Sequence, residues 1–292
     1  MKRKTILRES ELELFLKEKG FERISTPMFL PFQKVLPYLS SESVNHQVKV
    51  QGPKGETLLM RGDSTVAMVV SECLSQVSKG SDTRIYYDEP HFQYDFEKQV
   101  IREDRQLGLE VVSSNVQCAL EESLQYAVHI AELKCEMKML VEVGLPSAMA
   151  DVIKAIALET QVDVDQLLYY LKRKNVYEVS KLLKKGQRSP QELELIAQLL
   201  TSPRNIEIFI DESKNIDILL PIRSRLAQMP QIRDVQVEFE PSIMVDRPYY
   251  SHVTFKIYDT ERHEAFISGG TYDFDAYGIS GCGFSVQLGG ES

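Results

Sequence analysis

"RIYYDEPHFQYDF", residues 84–96, and "IREDRQLGLEVV", residues 101–112, are two runs rich in aromatic and β-branched residues, the composition of strands. They read as the two arms of an antiparallel hairpin. Charges of both signs alternate over residues 95–105, which read as the solvated loop between the arms. On the second arm Gln106 and Glu110 are four residues apart, an even spacing that sends both side chains to one face of a strand. A hairpin that loads polar groups onto one face predicts an antiparallel sheet with a site on it.

Upstream, Ser10 followed by Glu11 and Glu13 opens a helical run that Gly20 closes, in line with capping chemistry. "FERISTPMF" (21–29) reads as a short strand broken at Pro27. "VKVQGPKGETLLMRGD" (48–63) reads as a first hairpin turning at Gly-Pro-Lys-Gly, with Asp63 at its end and Thr65 just beyond. "STVAMVVSECLSQV" (64–77) has apolar residues at helical spacing, and a long helix is expected over 116–143. From 144 to 203 strand formers are few and breaks fall at "KKGQRSP" and "TSPRN". This predicts a helical insertion at 144–203 in a core made of 1–143 and 204–292. After it, "VQVEFEP", "YSHVTFKIYD", "HEAFISGG" and "GCGFSVQL" read as successive strands. The fold class expected is α+β: an antiparallel sheet with flanking helices.

Composition narrows the chemistry. The 292 residues carry a net charge of −9, which argues against a general role in holding nucleic acid, since phosphates need clustered Lys and Arg. Cys73, Cys118, Cys135 and Cys282 show no CxxC spacing and read as reduced thiols of a cytoplasmic protein. The five histidines are too dispersed for a metal cluster. "GGTYD" and "QLGG" are neither a dinucleotide fingerprint nor a phosphate loop, and no GxSxG or HExxH motif occurs. No metal or cofactor is expected. The basic start "MKRKTILRESELELFL" runs into an amphipathic pattern rather than an apolar one, so neither a signal peptide nor a membrane span is expected.

Five segments in fixed order exceed that bland description: "LLMRGDST" (58–65), "HFQYDFEKQVIREDRQLGLE" (91–110), "RPYYSHVTF" (247–255), "ISGGTYDFDAYG" (267–278) and "GCGFSVQLGG" (281–290). The set resembles the catalytic core of histidyl-tRNA synthetase, a class II aminoacyl-tRNA synthetase. More closely it resembles the non-synthetase paralogue, the ATP phosphoribosyltransferase regulatory subunits of histidine biosynthesis. "RGDST" stands where the family has Arg-Pro-Asp/Glu-x-Thr, and "RQLGLE" where it has Gln-x-Gly-x-Glu. "YYSHVTF" is similar to Tyr-Tyr-Thr-Gly-x-x-Phe, and "GGTYD" to Gly-Gly-Arg-Tyr-Asp.

The resemblance implies a class II synthetase-like sheet and a histidine pocket. Free histidine presents an ammonium and an imidazole, so its pocket needs acceptors. Asp63, Thr65 and Gln106 are the candidates for the ammonium, and Glu110 for the imidazole N–H. Tyr250 and Tyr272 would supply walls and hydroxyls. The synthetase's arginines are missing. An Arg that grips the ATP α-phosphate is Gln93 here, the Arg of Gly-Gly-Arg-Tyr-Asp is Thr271, and the closing Glu-Arg falls on Gly289 and Gly290. A further Arg falls on Val245, with Arg247 two residues away. Arg247 or Arg61 is left to meet histidine's carboxylate. Adenylate formation needs guanidinium forks for its spreading negative charge, so no catalysis is expected.

What the resemblance implies instead is a partner, the short-form ATP phosphoribosyltransferase catalytic subunit, with histidine as effector. A homodimer within a hetero-oligomer is implied, formed through "ISTPMFLPF" (24–32). The chain ends at Ser292, short of the tRNA-anticodon domain expected of a synthetase. The alternatives are a divergent amino-acid-activating enzyme and an RNA-linked pseudo-synthetase. The acidic balance weighs against tRNA as a partner. The stretches 96–104 and 268–275 read as loops that would reorder around the pocket.

Overall fold

The structure, a computed structural model, describes residues 9–73, 82–134, 139–184, 188–232, 235–243, 249–259 and 265–287. Val245, Arg247, Gly289, Gly290 and Cys135 lie outside them. The chain divides into two compact units, one of Met1–Met137, Asp246–Tyr250 and Glu264–Ser292, the other of Lys138–Val245 and Ser251–His263.

The first unit opens with helix α1 (Glu9–Glu18). Gly20 ends it at φ +79°, a backbone conformation that glycine adopts without strain. The N–H groups of Gly20 and Phe21 donate back to the carbonyls of Lys17 and Leu16, a Schellman closure. Short strands β1 (Glu22–Arg23) and β2 (Phe29–Pro31) follow on either side of Pro27, then α2 (Phe32–Val35) and α3 (Ser41–His46). The first hairpin is β3 (Lys49–Gln51) and β4 (Thr57–Met60), turning through Gly55 at φ +82°. Strands β2, β4 and β3 form a small antiparallel sheet in that order.

Helix α4 (Ser64–Val70) is buried over its whole length and anchors the unit's core with Leu30, Leu59, Ile85, Tyr249, Tyr272 and Phe274. A helix this short and apolar on every side is stable only when walled in. The decisive hairpin is β5 (Thr83–Asp95) with β6 (Val100–Val112), each thirteen residues long, and helix α5 (Val116–Lys134) comes after it. The unit's larger sheet is completed by β11 (Ala265–Phe274) and β12 (Ile279–Gln287), in the order β1-β5-β6-β12-β11. All its pairings are antiparallel except the short β1–β5 contact.

In the second unit, β7 (Met139–Gly144) leads into helices α6 (Pro146–Thr160), α7 (Val164–Lys172), α8 (Val176–Leu183) and α9 (Pro190–Thr201). Strand β8 (Arg204–Asn205) and helices α10 (Ile206–Ser213) and α11 (Leu220–Leu226) precede β9 (Gln236–Phe239) and β10 (Tyr250–Asp259). Strand β7 pairs antiparallel with β10 and parallel with β9, and β9 takes β8 on its other edge. Helices α6–α9 occupy the stretch expected to be helical. The compact unit is wider than that stretch because strand pairing ties β7, β9 and β10 to it. Among the described residues no helix is long and apolar enough to cross a membrane.

Four local expectations are corrected. The charged stretch 95–105 is not a loop: β5 and β6 stay paired from Thr83↔Val112 to Asp95↔Val100, and only residues 96–99 turn. The helix expected to run to 143 stops at Lys134, and 139–144 is β7. Residues 268–274 belong to β11, so the expected loop 268–275 is almost wholly strand. Asp63, read as the end of the first hairpin, is the N-cap of α4, while Thr65 falls in the helix expected from residue 64 onward.

A cavity built over glycines

Asp63 is the N-cap residue of α4, and its Oδ1 accepts from the Val66 N–H at 3.1 Å. Its other carboxylate oxygen accepts a short hydrogen bond from the Tyr249 hydroxyl. Tyr249 is 4% exposed and stacks on Phe274 at 4.9 Å. Thr65, in the first turn of α4, donates to Glu110 Oε1 at 2.6 Å. Glu110 is 1% exposed, so the bond lies in a low-dielectric interior, where a hydrogen bond is stronger than in water.

The six residues singled out from the sequence, Asp63, Thr65, Gln106, Glu110, Tyr250 and Tyr272, all line one cavity, together with Ser64, Tyr87, Ser268, Gly283 and Ser285. Gln106, Tyr250, Ser268 and Ser285 are partly or fully exposed and form its mouth, whereas Thr65, Tyr87, Glu110 and Tyr272 are buried. Burial, reinforced by the Glu110 carboxylate, holds the hydroxyls of Tyr87 and Tyr272 well above the ordinary tyrosine range. Both are therefore neutral hydroxyls at physiological pH. The cavity's volume is about 10 Å³, room for one water molecule. A ligand as large as an amino acid enters only if lining side chains swing aside.

On this face of the sheet, large residues are repeatedly paired with glycine. Tyr87 on β5 is the cross-strand partner of Gly108 on β6, Glu110 on β6 of Gly283 on β12, and Tyr272 on β11 of Gly281 on β12. Each side chain lies across its glycine. A Cβ built on Gly108 would stand 1.9 Å from Tyr87 Cζ, one on Gly283 1.7 Å from Glu110 Oε2, and one on Gly281 2.8 Å from the Tyr272 hydroxyl. Tyr87, Tyr249 and these glycines were not singled out from the sequence. The signal available was the doubled tyrosines at 86–87 and 249–250, and glycines at alternate positions in "GCGF".

Around Arg61 lies a second polar cluster, of which sequence reasoning had raised only Arg61 itself. Arg61, 3% exposed, donates to the carbonyls of Thr26 (2.6 Å) and Pro90 (2.9 and 3.1 Å), to Thr26 Oγ1 (3.1 Å), and lies 3.2 Å from Glu89 Oε2. Glu89 also accepts from Thr26 N–H and Thr26 Oγ1 at 2.7 Å. Arg61 is thus committed to the frame, which removes it as a partner for a ligand carboxylate. Ser64 Oγ stands 2.8 Å from His91 Nε2. Burial pushes the His91 imidazole down to about 4, so it is neutral near pH 7. Gln93 is exposed on β5 opposite Arg102, and Thr271 is buried on β11 opposite Cys282.

Comparison with known proteins gives the family. The sequence profile of histidyl-tRNA synthetase matches residues 1–290. A Streptococcus gordonii protein named ATP phosphoribosyltransferase regulatory subunit is 24% identical over 294 aligned residues, covering 96% of this chain and 86% of its own. A solved Bacillus halodurans structure titled ATP phosphoribosyltransferase regulatory subunit/histidyl-tRNA synthetase superposes with a TM-score of 0.76. It has 20% identity over 95% of this chain and 75% of its own. A chain of the ATP phosphoribosyl transferase (HisG:HisZ) complex from Thermotoga maritima gives 0.71, with 23% identity over 98% of both chains. These structural likenesses show the fold, the class II synthetase-like arrangement of mixed sheet and flanking helices.

Proposed function

The chain belongs to the histidyl-tRNA synthetase family, and on that premise we propose that it is a non-catalytic regulatory subunit of ATP phosphoribosyltransferase. It would be required by a short-form catalytic subunit and would carry histidine's feedback signal to it. The observation that carries this reading is a split in the family's site. Asp63, Thr65, Gln106 and Glu110, which can accept hydrogen bonds from an amino acid, line one cavity, and by the motif resemblance Gln93 and Thr271 fall where an adenylating enzyme would need guanidinium. The relative from S. gordonii bears the regulatory subunit's name over 96% of this chain, and the T. maritima complex matches it along 98%.

In this reading Glu110 accepts from the imidazole of histidine, Gln106 and Asp63 take the ammonium, and Tyr250 and Tyr272 wall the ring. With a cavity of only about 10 Å³ behind its mouth, histidine in this reading binds a more open arrangement, so its apparent affinity is lowered by the population of that state. The helical stretch 144–203 is an insertion into the synthetase-like core. A homodimer through 24–32 fits the exposure of Met28 (42%) and Phe29 (47%) on that segment.

The test is co-expression with a short-form catalytic subunit. The two chains are expected to co-purify, and phosphoribosyl transfer to ATP to require both. A catalytic subunit equally active alone, or failure to associate, would defeat the proposal.

A further inference from the structure

We infer that Gly283 is a positioning residue of the cavity: by lacking a side chain it lets Glu110 lie flat across β12 and present its carboxylate to the ligand. The inference rests on the reading of the cavity as a histidine site and adds a residue that acts through Glu110 rather than through a side chain of its own.

Three glycines underlie the cavity's large side chains, and they are not equivalent. At Gly281 an added Cβ would stand 2.4 Å from the Val111 carbonyl oxygen. That obstacle is backbone, held by the β6–β12 ladder. At Gly108 it would meet Tyr87 Cζ, its hydroxyl and Cε2 at 1.9, 2.2 and 2.4 Å, and a planar ring that turns only about χ1 and χ2 has fewer ways to clear the added atom than a glutamate chain has. At Gly283 all three nearest atoms are the carboxylate end of Glu110, at 1.7, 2.3 and 2.9 Å. The far end of a flexible side chain can move. Gly281 and Gly108 therefore answer to the fold, and Gly283 answers to Glu110.

The direction of that movement decides the consequence. Glu110 and Gly283 are direct partners across β6 and β12, and the carboxylate reaches from there to Thr65 Oγ1 at 2.6 Å. A methyl group on residue 283 occupies the place of Oε2. The carboxylate must then leave the sheet surface, abandon Thr65 and rise into a cavity that holds only about 10 Å³. The acceptor for the ligand's ring is displaced and the remaining space is filled, while the strands keep their register. The chemical group stays in the chain and loses its place.

The experiment is a double-mutant cycle read by calorimetric titration of histidine into the purified chain, with Gly283→Ala, Glu110→Ala and the double variant. Gly283→Ala is expected to bind histidine roughly ten- to a hundredfold more weakly, the loss that follows from misplacing one charged hydrogen bond. In the Glu110→Ala background the same change is expected to lower affinity no further, because the group it displaces is gone. Unaltered binding by Gly283→Ala, or losses that add in the double variant, would overturn the inference while leaving the histidine site standing. A wild-type chain that takes up no histidine would overturn the site and the inference together. Should Gly283→Ala fail to fold, the double variant is expected to fold, since the three nearest atoms the added methyl would meet all belong to Glu110. Its failure too would refute the mechanism.

Discussion

Asp63→Ala removes two acceptors at once, and the structure separates their contributions. One oxygen caps α4 through the Val66 N–H, and losing an N-cap acceptor costs about 1 kcal/mol. The other accepts from Tyr249, and losing a hydrogen bond to a charged group costs about 1.5–3 kcal/mol. Asp63→Ala should therefore destabilise the protein by about 2.5–4 kcal/mol with no ligand present. Tyr249→Phe should remove only the second part, about 1.5–3 kcal/mol, and the coupling in the double variant should equal it. Asp63→Asn keeps a capping oxygen, since Asn caps as well as Asp, and should fall well short of Ala. Urea unfolding followed by tyrosine fluorescence measures all four, the chain having 13 Tyr and no Trp. A coupling near zero, or an Asn variant as unstable as the Ala variant, would refute this division of labour.

Three further outcomes are expected. Burial lowers the His91 pKa to about 4 in the folded chain, against about 6.5 unfolded, so its neutral form is the one the fold favours. That contribution is complete above about pH 6.5 and is lost as pH falls toward about 4, about 3 kcal/mol in all. Urea titrations at pH 7.5 and 4.5 should show a smaller pH dependence in His91→Gln than in the wild type. Histidine-dependent exchange of pyrophosphate into ATP should not exceed a no-enzyme control, and activity above it would restore an amino-acid-activating enzyme. Thr65→Val, which removes the 2.6 Å donor to Glu110 at nearly constant volume, should cost about 1.5–3 kcal/mol of stability, and an unchanged unfolding midpoint would argue that the Thr65–Glu110 bond is not formed in solution.

Much of the fold was legible because local chemistry and tertiary structure agree. Gly20 and Gly55 take positive φ where a helix stop and a hairpin turn were read. The even spacing of Gln106 and Glu110 put both on the cavity side of β6. The misreadings fall where pairing overrides composition. Residues 100–105 look like loop because β6 meets β12 only from Gln106 onward. That part of the hairpin is a two-stranded ribbon with solvent-facing charges, such as Arg105 paired with Asp88 at 2.7 Å. "MLVEVG" (139–144) suits a buried helix as well as a strand, and only its partners on β10 and β9 decide. Tyr87 escaped notice for a related reason. Which of two adjacent tyrosines faces a site depends on register, and one residue of slip inverts it.

Histidine titrated into the reconstituted complex, with phosphoribosyl transfer as the readout and wild-type or Glu110→Gln chains compared, tests the central claim most directly. A regulator binds its effector unequally in two states of the complex. If the signal enters through Glu110, histidine inhibits the wild-type complex, and the Glu110→Gln complex needs roughly ten- to a hundredfold more histidine for the same effect. Equal inhibition of both complexes would contradict it.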